Sequence, residues 1–165
     1  MIHIDRTERT YIIISIALLL VFATAIAISS FAYGIQVPLP VERVDPKLIT
    51  TPGAYPAYHF GDPVEERIRE LAPGRYEAYI VAQTWAFLPN RITVPKGSTI
   101  TFYVTSKDVI HGLKLDGTNI NMMIIPGEIS RLTATFDDPG TYNFVCHEYC
   151  GAGHHTMYGQ LTVEE

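Results

Sequence analysis

From Thr10 to Val41 the chain carries no Asp, Glu, Lys or Arg, and Tyr11–Ile35 is almost wholly apolar. A helix rises ~1.5 Å per residue, so about 20 such residues cross a hydrocarbon layer ~30 Å thick. Inside lipid every backbone N–H and C=O must be paired locally, which a helix does. Ser15, Thr24, Ser29 and Ser30 can bond back to the helix through their hydroxyls, and Tyr11 and Tyr33 stand near the two ends, where amphipathic rings favour the interface. A cleaved signal peptide is the rival reading, because Ala23-Thr24-Ala25 and Ala25-Ile26-Ala27 resemble cleavage sites. The apolar run continues beyond both sites, however, and Asp5 and Glu8 offset Arg6 and Arg9 in the leader. The expectation is a retained anchor.

Gln36–Tyr58 is rich in proline (Pro38, Pro40, Pro46, Pro52, Pro56) and reads as an extended linker. Asp62-Pro63-Val64-Glu65 has a helix-start signature. Val64, Ile68 and Leu71 share one helical face and Pro73-Gly74 would end it, which predicts a short helix. From Arg75 the period changes to two. Ile100, Phe102 and Val104 alternate with Thr99, Thr101 and Tyr103; Leu132, Ala134 and Phe136 with Arg131, Thr133 and Thr135; Tyr142, Phe144 and Cys146 with Asn143 and Val145; Met157, Gly159, Leu161 and Val163 with Tyr158, Gln160 and Thr162. Turn signals at Pro89-Asn90, Lys96-Gly97, Asp116-Gly117, Pro126-Gly127 and Asp137–Gly140 separate the runs. Short alternating strands at this spacing predict an antiparallel sandwich or barrel. The expected layout is a short N-terminal segment (1–10), a transmembrane helix (11–35), a proline-rich linker with a short helix (36–74) and an all-β domain (75–165).

Composition narrows the function. Lys+Arg number 12 against Asp+Glu 17 in 165 residues, a net charge of −5. Nucleic-acid binders usually show a basic face, so that class is disfavoured. The two cysteines are too few for a disulfide scaffold, and the domain needs a true core. Neither a P-loop, a dinucleotide fingerprint nor a nucleophile elbow occurs.

The chemistry is concentrated in Cys146-His147-Glu148-Tyr149-Cys150-Gly151-Ala152-Gly153-His154-His155-Thr156-Met157, between the last two strands. Two thiols, an imidazole and a thioether are soft or borderline donors, which suit copper better than magnesium or calcium. A further imidazole, His111, follows the strand Thr99–Thr105 and reaches the same end of a Greek-key sandwich. Four arrangements accommodate these residues. A Cys146–Cys150 disulfide leaves His111, His154 and Met157 without a role. A structural zinc site on Cys146, Cys150, His154 and His111 omits Met157. A mononuclear blue-copper site leaves one thiol over. A dinuclear copper centre bridged by both thiolates uses every donor and is preferred. His147 and His155 read as neighbouring or surface groups, and His3 and His59 as solvated.

The pattern Cys-x-Glu-x-Cys-Gly-x-x-His-x-x-Met, with Asp108-Val109-Ile110-His111 upstream, resembles the CuA site of cytochrome c oxidase subunit II. The likeness covers about Tyr76 to Val163 and the single anchor. Glu42–Pro46, Gly117–Asn121 and Pro126-Gly127-Glu128 resemble the B-type (ba3-like) heme–copper oxidases in particular. The resemblance implies a Greek-key cupredoxin fold in which Cys146 and Cys150 bridge two coppers. His111 and Met157 would complete one copper, and His154 and the carbonyl of Glu148 the other. In several family members the carboxylate at the Glu148 position also touches a magnesium ion shared with the catalytic subunit, whereas related B-type members can carry an amide there. It further implies a heme-bearing catalytic subunit I as partner, cytochrome c as donor, docking near Trp85 and Phe87, and a copper domain on the outer, periplasmic face of the cell membrane. Oxygen reduction and proton pumping would belong to the partner, and this chain alone would have no oxidase activity. The acidic excess could steer a basic cytochrome c. The competing classes are an anchored mononuclear electron carrier, a copper-delivery protein and a CuA subunit of a nitric-oxide reductase.

Overall fold

The computed structural model describes residues 5–165. They form two compact units, one up to Gln36 and the other Val37–Glu165. The first is a 28-residue helix, α1, Arg6–Tyr33, long and apolar enough to cross a membrane. It starts before the apolar run because Asp5 caps it, accepting from the Thr7 N–H at 2.8 Å. It stops at Gly34, whose left-handed backbone (φ 61°) returns its N–H to the Ser29 carbonyl. Residues 6–10, expected to precede the helix, are therefore its first turns. His3 lies outside the described residues.

The second unit is a β-sandwich. Its strands are β1 (Leu39–Arg43), β2 (Ile68–Ala72), β3 (Arg75–Gln83), β4 (Ala86–Leu88), β5 (Arg91–Pro95), β6 (Ser98–Ser106), β7 (His111–Leu115), β8 (Asn121–Ile124), β9 (Glu128–Phe136), β10 (Gly140–Val145) and β11 (Tyr158–Glu164). One sheet runs β1-β9-β6-β3-β2, with β4 also on β3; the other runs β5-β11-β10-β7-β8. The sheets are mixed, not purely antiparallel, since β3 pairs parallel to β6 and β5 parallel to β11. Between them lie Ile80, Phe87, Ile100, Leu113, Met122, Phe144 and Leu161, all fully buried. The alternation read from the sequence is the alternation of burial: Ile100, Phe102 and Val104 point inward, and so do Gly159, Leu161 and Val163.

Two expectations for residues 36–74 are corrected. Asp62-Pro63 does begin a helical turn, but it is a single 3-10 turn, Val64–Glu66, followed by β2. Pro73-Gly74 joins β2 to β3 as a two-residue hairpin, with Gly74 at φ 73° and Ala72 opposite Arg75. A spacing that suits a helix face is overridden because Ile68 and its neighbours complete the edge of a sheet. The proline-rich segment is also no free linker. β1 pairs with β9, and Val44, Ile49 and Phe60 form a second core with Tyr79, Val81 and Ile129 on the outer face of the first sheet. β3 is buried on both faces, so Tyr79 and Val81 need that cover. Tyr79 stacks on Tyr103 with ring centroids 5.1 Å apart. His59 is half-buried rather than fully solvated: it lies edge-on to Tyr79 and 2.8 Å from the Asp62 carboxylate.

Candidate metal centre

One end of the sandwich gathers the sulfur and imidazole groups. His111 opens β7, Cys146 follows the last residue of β10, and Met157 precedes β11. The loop between β10 and β11 closes on itself, because the Cys146 N–H donates to the Met157 carbonyl at 3.1 Å. A 3-10 turn, His154–Thr156, turns the chain back toward β11.

Cys146, Cys150, Met157 and His111 are buried, and His154 is half-buried. The two Sγ atoms are 3.9 Å apart and both cysteines are free. A disulfide needs ~2.05 Å, so the thiols face each other without being joined. Around Cys146 lie His111 Nδ1 at 3.9 Å and the Glu148 carbonyl oxygen at 3.2 Å. Around Cys150 lie His154 Nδ1 at 3.5 Å and Met157 Sδ at 3.7 Å. His111, Cys146 and Cys150 offer donor atoms within 4.8 Å of one another, close enough to share a metal ion. All six residues singled out in the sequence thus meet at one point, Glu148 through its backbone. The donor set is two thiols, two imidazoles, one thioether and one carbonyl, and such soft and borderline donors fit copper.

Burial, and after it the neighbouring Cys146, push the Cys150 thiol up to about 11. A metal ion bound at that sulfur would have to displace its proton. His111 Nε2 is 2.8 Å from Asp108 Oδ1. That carboxylate, an acceptor only, takes the Nε2–H and so turns Nδ1 toward Cys146. Burial works to raise the Asp108 carboxyl, but hydrogen bonds from the Thr84 side chain, from His111 and from the Thr84 and Val109 backbone N–H groups outweigh it and hold the pKa at about 2.

The two aromatic candidates part company. Trp85 is 46% exposed, and its indole lies against the ligand loop: a Cβ added at Gly151 would sit 3.1 Å from Trp85 Nε1, and one at Gly153 2.5 Å from Cδ2. Phe87 is fully buried and packs edge-on against Phe144 at 5.3 Å. It cannot meet a partner, so the expectation that it helps docking is withdrawn. The sequence pairs the two because they are neighbours on one strand pattern, but the turn before β4 swings Trp85 outward. His147 lies flat over Gly112, with Nδ1 3.4 Å from the Glu148 carboxylate, and His155 is exposed. Sequence reasoning missed Asp108 and Thr84 as supports of the site. The signal for Asp108 was its place three residues before His111 on a turn.

A mixed two-sheet Greek-key sandwich carrying this cluster at one end is a cupredoxin, a copper-binding fold. The comparisons then narrow the class. The family described as cytochrome C oxidase subunit II, periplasmic domain, matches residues 73–163, and the chain belongs to the cytochrome c oxidase subunit II family. A cytochrome c oxidase subunit 2 of Thermus thermophilus is 38% identical over 160 residues, covering 96% of this chain and 92% of that one. A second subunit 2 from the same species is 41% identical over 125 residues, covering 76% and 88%. Among solved structures, a chain from a heme-copper terminal oxidase dimer superimposes with a TM-score of 0.73 at 35% identity, over 96% of this chain and all of that one. The periplasmic domain of subunit II of the Bradyrhizobium japonicum cytochrome oxidase shares the fold (TM-score 0.50, 22% identity, 54% and 83% coverage). The apolar helix ahead of a periplasmic-domain family makes this a membrane-anchored subunit with the copper domain outside. Its homologues are subunits of heme–copper oxidoreductase complexes.

Proposed function

We propose that this chain is the electron-accepting subunit of a heme–copper terminal oxidase and holds a dinuclear copper centre. The observation that carries this reading is the unjoined, buried thiol pair 3.9 Å apart, flanked on each side by one imidazole and one further donor. Cys146 and Cys150 would bridge two copper ions capped by His111, Met157, His154 and the Glu148 carbonyl. When bound, the pair supplies one-electron redox chemistry, its odd electron shared between two metals so that little bond rearrangement accompanies each transfer. The chain's own part is to desolvate the sulfurs, aim His111 through Asp108 and leave no position open to substrate.

Electrons would come from a cytochrome c docking over Trp85, whose indole touches the loop between Cys150 and His154. They would leave to heme in a separate catalytic subunit of the cell membrane, where oxygen is reduced and protons are pumped. The single α1 span would anchor the copper domain on the outer face. A magnesium role for the Glu148 carboxylate is not included, since that carboxylate faces His147.

Electron paramagnetic resonance on the copper-loaded protein tests the reading. The expected spectrum has the hyperfine pattern of one electron spread equally over two copper nuclei, with two coppers per chain. Cys146→Ser and Cys150→Ser should each abolish it while far-ultraviolet circular dichroism stays that of a folded sandwich. Zinc in the freshly isolated protein, or a single copper with an ordinary mononuclear spectrum, would overturn the assignment.

A further inference from the structure

Trp85 is the one non-glycine residue with a left-handed backbone among those described, at φ 87°. Such a conformation is unfavourable for a bulky residue and persists only where the surroundings over-determine it. On one side the indole is seated on Gly151 and Gly153 of the ligand loop. On the other side the preceding residue is anchored. The Thr84 N–H donates to Asp108 Oδ2 at 2.6 Å, and the Thr84 hydroxyl donates to the same oxygen. The other oxygen, Oδ1, receives the Val109 N–H at 2.7 Å and the His111 Nε2–H at 2.8 Å. With a longer contact from the Ser106 hydroxyl to Oδ1 at 3.5 Å, one carboxylate takes all these donors and ties the β3–β4 turn to the start of β7, across 24 residues of sequence.

We propose that Asp108 is a positioning residue that couples the aromatic turn to the metal ligand. It fixes His111 with its proton on Nε2 and Nδ1 bare toward the cysteines, and through Thr84 it holds the turn that lays Trp85 on the ligand loop. The inference deepens the reading above, since it takes His111 and Trp85 in the roles given there. An amide cannot replace the carboxylate. Both oxygens act purely as acceptors, whereas Asn has one acceptor oxygen and an NH₂ that would face donors. Asp108→Asn can serve His111 or Thr84 but not both.

The chain has a single tryptophan, so its fluorescence reads this turn alone. The experiment uses the full chain in detergent, first free of metal. Acrylamide quenching reports how tightly Trp85 is seated, and ¹⁵N chemical shifts of the His111 ring report which nitrogen carries the proton. In Asp108→Asn the quenching constant should rise, and the His111 shifts should move away from the pure Nε2–H pattern. Thr84→Ala, which removes one exposed hydroxyl, should move both readouts in the same direction by less, and Thr84→Ser should restore both. This variant carries the test if Asp108→Asn does not fold. On loading with Cu(I), Asp108→Asn should bind about tenfold more weakly, the usual loss when the outer partner of a ligating histidine is removed. Quenching unchanged in Asp108→Asn, or His111 unmoved in Thr84→Ala while Trp85 loosens, would show the turn and the ligand to be held independently and would overturn the proposal. Because the first two readouts need no metal, a failure of the dinuclear reading would show in the copper spectrum and leave them intact.

Discussion

Single side chains set the properties of this site, and Met157 and Asp108 do so in different ways. Met157 Sδ stands 3.7 Å from Cys150 Sγ as a weak, soft donor. Met157→Leu keeps the volume and removes the thioether, so if the site holds the copper pair proposed above, both ions should still bind while the reduction potential shifts; protein-film voltammetry measures it. Asp108 ties stability to pH. Its carboxyl is held at about 2, below the ordinary 3.8. The ionised form is favoured by folding, so its contribution is complete above pH 3.8 and fades as pH falls through about 2. Thermal unfolding of the metal-free protein between those limits should steepen with acid in the wild type and be flatter in Asp108→Asn. That these Cys, His and Met residues would be drawn together was legible beforehand, because their spacing around one loop points to a shared centre. The acceptor beneath them was not. An Asp on a turn is common, and only the fold shows that both its oxygens are engaged. Phe87 was misread for the same reason: an aromatic beside an exposed Trp carries no mark of which way its strand turns it.

The strands were read well where one face is buried and poorly where neither or both are. β6 as far as Val104 and β11 throughout alternate cleanly, and their burial follows. β2 has one half-buried residue and four exposed, so no period distinguishes it from a short amphipathic helix. Pairing direction is not written in alternation at all, which is why the parallel β3–β6 and β5–β11 pairs came as corrections. Packing between elements does give a sharp contrast at two glycines. At Gly159 on β11 an added Cβ would meet the buried Phe144 ring at 2.3 Å and the Asn90 backbone oxygen at 2.6 Å. Gly159→Ala should therefore destabilise by ~1–3 kcal/mol, as overpacking of a tight core does, measurable by denaturant titration. At Gly153 the obstacle is the root of the half-exposed Trp85 ring, with Cδ2 at 2.5 Å and Cγ at 2.6 Å. Gly153→Ala should therefore unseat the indole from the ligand loop, raising its acrylamide quenching and, if a cytochrome donor docks over Trp85 as proposed, slowing electron uptake in stopped-flow mixing.

At the scale of the whole sandwich, part of the negative charge lies away from the metal end. β10 runs toward the site and β11 away from it, so Asp137 and Asp138 before β10, and Glu164 and Glu165 at the end of β11, lie at the opposite end of the sandwich. Around the cluster the exposed large side chains are Trp85, Val109, Ile110, Tyr149 and Tyr158. Four acidic residues at the far end and an apolar rim here favour apolar docking over charge steering. Raising the salt concentration from low to physiological values should change the bimolecular rate of electron uptake only slightly. A steep fall would return the weight to charge steering. One further point concerns the rung where the Cys146 amide meets the Met157 carbonyl. Every strand of the sandwich is complete below it, so the ten intervening residues behave as a detachable cassette. Changes confined to them leave every ladder paired as it is, so scaffold and loop can vary separately.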